Sequence, residues 1–364
     1  MARGIFLRIM TSFCIRPLVL LLALLMPLLV NAQPANHYRG LASMEDGETM
    51  AGAQRQALNA VLTRLTGQSS QTLSEELSLS AADVSALIAS QQRVRQPQLM
   101  PDGSRPEQTL LQVDFFPPAV DRLLRLQGLP RLGPERPAIL VWLLVDEEPD
   151  VEAEQLEGEG APSAAALADQ HLADLAARFG LDFVQPLNDA FDLSHVGPSD
   201  IRGGFLESAD PLLDRYDAGM TAMLDLRRDE QTEWQARWFW RMEGRDHSLV
   251  THQPFMGDAL EAGAAALLQT MVERFGVRLG GESSRVRQVR VDGLFDAGQF
   301  AAVQQHLSGF SVVEAVRVLA ARDQAVDFEI EVAGEGIEDQ LAFSRLLVVD
   351  DIDSDGFIRV RWLQ

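Results

Sequence analysis

The chain is 364 residues long with 46% hydrophobic, 23% charged and 7% aromatic residues, a globular composition with room for two or three domains. All 31 basic residues are Arg against 53 Asp and Glu, so the formal net charge is -22. Phosphate neutralisation needs a basic face, so nucleic acid is excluded as an expected partner, and a chain without Lys has neither Schiff-base chemistry nor a P-loop lysine.

At the N-terminus Arg3, Arg8 and Arg16 precede an apolar run, Leu18 to Val30, followed by Asn31 and Ala32. That run of 13 residues suits the core of a secretory signal peptide and falls short of the ~20 needed to cross a bilayer. Cleavage after Ala32 and a periplasmic address are therefore expected. Removal of residues 1–32 would leave 28 Arg against the 53 carboxylates, a mature charge of -25. The single Cys, Cys14, lies upstream of the run, so a mature chain would carry no disulfide, thiolate metal site or Cys nucleophile. No second apolar segment approaches ~18 residues, which predicts no further span. The acidic, lysine-free surface reads as a halophilic adaptation of an exported protein, because salt screens the mutual repulsion of its carboxylates.

Apolar residues recur with helical period from Met50 to Leu65, closed by Gly67, and a shorter helix is predicted over Ala81 to Gln91. The Pro/Gly-bearing stretch Gln96 to Gln108 reads as a loop from that helix into a strand at Leu110 to Phe116, and Pro118 opens another helix to Gln127. The continuous run Ala138 to Val145 predicts a central strand buried on both faces. Asp146 to Gly160 holds eight carboxylates and reads as a solvated loop. A helix from Ser163 to Phe179, a strand at Leu181 to Val184 and a loop around Pro186 to Gly204 follow. Glu233 to Glu243 alternates Trp234, Ala236, Trp238, Trp240 and Met242 with mainly polar residues, an amphipathic strand. Met220 to Leu226 should pair antiparallel with it, Leu249 to His252 adds a further strand, and a helix runs from Met256 to Phe275.

In the last 80 or so residues, strands begin at Val289 and Val316, a helix carries Phe300, Val303 and Leu307, and Val326 to Val332 alternates with acidic residues. Ile337 to Leu347 reads as helical, and Ile358, Val360 and Trp362 mark a final strand. The order β-α-β-β-α-β is that of a ferredoxin-like module. The expected fold class is therefore α+β, three small mixed modules in series, with a signal peptide over 1–32 and modules at 33–137, 138–280 and 281–364.

RQALNAVLTRLTG (Arg55 to Gly67), FFPPAVDRLLRLQGLPRLGPERPAILVWLLVD (Phe115 to Asp146) and EWQARWFW (Glu233 to Trp240) together resemble a proteobacterial envelope family known only as domain of unknown function two-zero-six-six. Arg131 stands where that pattern commonly has a tryptophan. The resemblance implies an exported, envelope-associated protein and carries no catalytic residue with it.

The sequence contains no G-x-S-x-G, G-x-x-x-x-G-K-[ST], H-E-x-x-H or G-x-G-x-x-G. Its six His are scattered, and Ser194 beside His195 assigns no triad without geometry. Asp351, Asp353, Asp355 and Gly356 reproduce the start of a calcium loop, although its twelfth position is Trp362 where a bidentate Glu is needed, so an acidic turn is the reading set against calcium. Trp234, Trp238 and Trp240 on one strand face could form a binding platform or fill a sheet–helix core. These features favour a non-enzymatic module that binds or assembles with envelope proteins. A carboxylate-based hydrolase or transferase and a carrier of an apolar ligand are the alternatives.

Overall fold

The computed structural model describes residues 37–44, 48–68, 73–146, 162–228, 233–242, 244–278, 284–333, 337–342, 344, 346–352 and 357–363. The signal-peptide reading with Cys14, and all of the acidic stretch beyond Asp146, lie outside them. Strand β1 (Arg39–Ser43) precedes helix α1 (Met50–Thr66). The Thr49 hydroxyl accepts from Gly52 N at 3.0 Å to start α1, and Gly67, at φ 67°, ends it. Its apolar stripe of Ala53, Ala57, Leu58, Val61, Leu62 and Leu65 is fully buried.

Helices α2 (Leu73–Glu76) and α3 (Ala81–Ala86), strands β2 (Ile88–Pro97) and β3 (Glu107–Phe115), and helix α4 (Pro117–Leu126) complete this part in the sheet order β1-β3-β2. The helix expected over Ala81 to Gln91 is corrected here: it stops at Ala86, and β2 begins at Ile88. The stretch Gln96 to Gln108 thus joins two strands of a hairpin. β2 leaves both faces mostly exposed, so it carries no apolar period, and its backbone pairing with β3 (Gln91 against Val113) holds it.

The second sheet is built from β4 (Ile139–Asp146), α5 (Ala164–Phe179), β5 (Phe183–Val184), α6 (Ala190–His195), α7 (Pro198–Gly203), 3-10 turns at Leu206–Leu212 and Asp214–Tyr216, β6 (Met220–Arg228), β7 (Trp234–Met242), β8 (Arg245–Gln253) and α8 (Met256–Phe275). Its order is β5-β4-β6-β7-β8, with β4 parallel to β5 and β6 and the rest antiparallel. Ile139, Val141, Leu224, Trp238 and Trp240 pack against Leu172, Leu260, Leu267 and Met271 of α5 and α8. On the opposite face Leu140, Trp142 and Met223 meet Val196, Ile201, Leu206 and Leu212. The continuous apolar run of β4 therefore has two buried sides. The loop expected over Pro186 to Gly204 contains α6 and α7, two short helices started by the side chains of Asp189 and Asp200.

The third sheet comprises β9 (Ser284–Asp292), α9 (Ala297–Gly309), β10 (Val313–Arg322), β11 (Ala325–Ala333), α10 (Ile337–Ala342), β12 (Leu347–Ile352) and β13 (Ile358–Trp362), in the order β10-β11-β9-β13-β12. The helix expected to reach Leu347 ends at Ala342, and β12 is a strand that sequence reasoning missed. It reverses the chain, so β13 runs parallel to β9 (Ile358 against Val289) and the expected β-α-β-β-α-β order gains a seventh element. The fold class is α+β, with three sheets and ten α-helices among the described residues.

Residues 37–364 form one unit, and its seam is the segment 131–136. Arg131 exchanges backbone hydrogen bonds with Val277, and its guanidinium donates to Asp121 Oδ2 (3.0 Å) and to the carbonyls of Phe310 and Ser311. Gly133 N donates to Ser311 Oγ at 2.6 Å. Arg136 donates to the carbonyls of Gly133, Phe179, Gly180 and Arg64, while Arg64 donates to those of Arg178, His37 and Arg39. Helix C-termini expose orphan carbonyls with partial negative charge, and here the ends of α1 and α5 are satisfied by guanidinium forks. Burial, and then the neighbouring Arg64, bring Arg136 down to about 9.

Candidate functional site

Trp238 and Trp240 are buried in the core against α8, with the Trp238 indole pressed onto Gly263, and Trp234 is half-buried beneath the Arg228 guanidinium, 5.1 Å from its ring centroid. The face proposed as an aromatic platform is thus occupied by a helix. Asp351 is exposed in β12, while Asp353 and Asp355 lie outside the described residues. Ser194 Oγ donates to Phe191 O at 2.7 Å and lies 3.1 Å from His195 Nδ1, itself 2.9 Å from the same carbonyl. Both side chains are turned onto their own exposed helical turn.

The titratable clusters that the fold assembles are ion-pair frameworks. Arg215 joins Asp189 and the buried Asp192, which also accepts from the Tyr216 hydroxyl at 2.5 Å. The hydrogen bonds from Arg215 bring Asp189 down to about 2. Arg241 reaches Asp246, Asp210 and Glu207, and the hydrogen bonds of Asp246 raise its affinity for the proton. Asp225, fully buried on β6, faces Arg237 of β7 at 3.3 Å, and that guanidinium lies over the Phe239 ring. Each of these pairs ties a loop or a neighbouring strand to the second sheet, an arrangement with no linear signature.

The sheet edges differ in how they are blunted. An edge strand offers a row of backbone donors and acceptors to another chain, and proteins usually blunt it with a bulge, a short strand, Pro or Lys. β5 has two residues and β1 five. β2 has an extra residue between Ile88 and Ser90, β10 has two such irregularities, at Glu314 and Leu319, and β12 has one at Asp350. β8 has none: its nine residues pair with β7 without a register shift, from Trp234 against Gln253 to Met242 against Arg245, include no Pro, and carry their charged side chains, Arg245 and Asp246, at one end. Ser248, Val250 and His252 are exposed on one face, with Val250 51% accessible, while His247, Leu249 and Thr251 lean towards α8 on the other. His247 stacks on Trp240, and Thr251 Oγ1 donates to Ala259 O at 3.0 Å, which fixes this face of β8 against β7 and α8.

Residues 36–133 match the family described as a domain of unknown function, DUF8605. No curated protein and no solved structure matches the chain. The match overturns the resemblance to family two-zero-six-six. The stretches that suggested it fill framework positions: Arg55 to Thr66 lies on α1, which Gly67 ends, and Arg131 to Arg136 makes the seam. Apolar helix stripes and buried linkers answer to packing and do not distinguish one family from another. Arg131, where a tryptophan was expected, is itself buried and held by three segments.

Proposed function

We propose that this chain is an exported, non-enzymatic module of the cell envelope that binds or assembles through a sheet edge. The observation that carries the reading is β8, the one long edge strand without a bulge among the described residues. Edge addition gives affinity through main-chain hydrogen bonds and specificity through alternate side chains, which fits a protein whose titratable clusters are engaged in structural pairs. The periplasmic address rests on the Arg-rich start, the apolar run Leu18 to Val30 and the small residue at Ala32. The described residues include no helix long and apolar enough to cross a membrane. As part of the same reading, segments 33–137, 138–280 and 281–364 are three modules in series. Each contains one sheet, and the seam at 131–136 joins them; the first four elements of the last keep the β-α-β-β order of a ferredoxin-like fold.

The test is a photo-crosslinking residue at Val250 in the protein expressed in its own host, followed by mass spectrometry. Protein adducts at that position, absent when the same residue replaces exposed Leu126 on α4, are the expected result. Equal yields from the two positions, or no protein adduct at either, would refute the reading.

A further inference from the structure

We infer that the occupant of the β8 edge is a second copy of this chain, paired antiparallel about Leu249, an inference that rests on the edge-binding reading above. The strand RDHSLVTHQ is complementary to itself in one register. With Leu249 opposite its own copy, all nine residues are paired, Asp246 stands opposite His252 of the second copy, Arg245 opposite Gln253, His247 opposite Thr251 and Ser248 opposite Val250. No like charges face one another, and Asp246, held by Arg241 of its own chain, meets an imidazole on the exposed face at both ends of the ladder. Opposite partners of this kind favour pairing, and like charges in the same place oppose it.

The helix behind the strand admits the second copy. α8 packs over both β7 and β8, with Glu261 on one flank bound to Arg178 of α5 at 2.8 Å. At 100° per residue the opposite flank carries Ala259 and Gly263, buried against Thr251 of β8 and the Trp238 indole, and beside them the half-buried Ala266 and Thr270, which are left for the second copy. A two-fold axis perpendicular to the sheet keeps both helices on the same side. Strands lie about 4.8 Å apart, so two helices set over the β7–β8 boundary would be about 10 Å apart, a packing distance suited to small residues. The product is one continuous sheet of two five-stranded halves.

Charge separates this occupant from a cationic peptide. The net charge of -25 expected after removal of residues 1–32 opposes self-association at long range, whereas Arg245 and Asp246 offset one another and leave the strand itself close to neutral. Salt screens the long-range repulsion and leaves backbone pairing in place, so the self-pair strengthens as salt rises, while a cationic partner would be released.

The experiment is sedimentation equilibrium of the full exported chain at about 0.1 M and about 1 M salt, where the screening length falls from about 10 Å to about 3 Å. The comparison variant is Ser248→Lys with Val250→Lys, two exposed positions that would face each other twice across the axis. A monomer–dimer equilibrium that tightens with salt and weakens roughly tenfold or more in the variant is the expected result. A chain that sediments as a monomer at every concentration and salt, or a dimer unchanged in the variant, would overturn the inference. Adducts to a different protein at Val250 in the crosslinking experiment would also overturn it, while leaving the edge-binding reading in place.

Discussion

The contact between Trp238 and Gly263 supports a quantitative test of the core. Trp238 is fully buried in the middle of β7, and a methyl group built on Gly263 would sit 2.1 Å from its indole nitrogen, so the helix lies against the sheet only because that position lacks a side chain. Trp238→Ala should cost about 3–5 kcal/mol for the lost burial and the cavity. Gly263→Ala overpacks the contact at about 1–3 kcal/mol, partly offset by the roughly 1 kcal/mol gained when a helical glycine becomes alanine. In the double variant the alanine enters space that the indole has vacated, so the overpacking disappears and the helical gain remains. The two substitutions should therefore be coupled by about 1–3 kcal/mol, with the double variant more stable than the sum of the singles. Urea unfolding of all four proteins, followed by far-ultraviolet circular dichroism, measures the cycle. Additivity within about 0.5 kcal/mol would refute the claim that the two groups share one space.

Burial, reinforced by Arg136 and Arg64, pushes His37 from 6.5 down to about 2. The unfolded chain then takes up a proton that the folded chain refuses. This contribution to stability is complete above pH 6.5 and is lost at about 1.4 kcal/mol per unit as pH falls towards the folded value. His37→Gln should flatten the stability profile between about pH 6 and pH 4 by about 2–3 kcal/mol; urea midpoints that run parallel in the two proteins would count against it. Arg136→Met leaves four carbonyls without their donor and should cost about 3 kcal/mol or more, read from the same midpoints, with a loss under 1 kcal/mol contradicting the seam. If the proposed export is right, intact mass spectrometry of the protein recovered from its host's periplasm should find Gln33 at its N-terminus, and a retained Met1 would remove the cleavage reading.

The legible elements were those whose side chains repeat with the period of their backbone. Trp234, Trp238 and Trp240 alternate with Gln235, Arg237 and Arg241, and β7 lies where that alternation ends. The stripes of α1, α5 and α8 are likewise bounded by Gly67, Gly180 and Gly276. β2 escaped because an exposed edge strand is held by main-chain hydrogen bonds, to which Gln91, Gln92 and Gln96 contribute no pattern. β12 escaped because Leu346, Leu347, Val348 and Val349 continue the apolar character of Ile337 and Leu341, and a short apolar run is ambiguous between helix and strand. The seam was hidden for a different reason. Arg64, Arg131 and Arg136 look like solvated charges in sequence, and only the fold brings helix ends and turns within reach of their guanidinium groups. The edge at β8 is partly visible in the sequence, where Leu249 to His252 predict a strand, but its regularity is a property of its pairing with β7.

The seam also constrains the order in which the chain can finish folding. The guanidinium of Arg64 closes on a carbonyl 114 residues later, and that of Arg131 on one 179 residues later. A ribosome or a translocation channel delivers the N-terminal sheet long before either carbonyl emerges. Until Arg178 and Phe310 arrive, Arg64 lacks the carbonyl it takes from the end of α5 and Arg131 holds only Asp121, so the contacts that tie the first sheet to the rest wait for the last. Such a chain gains little from folding piece by piece during synthesis and much from staying unfolded until it is whole, the condition under which a polypeptide can be threaded across a membrane.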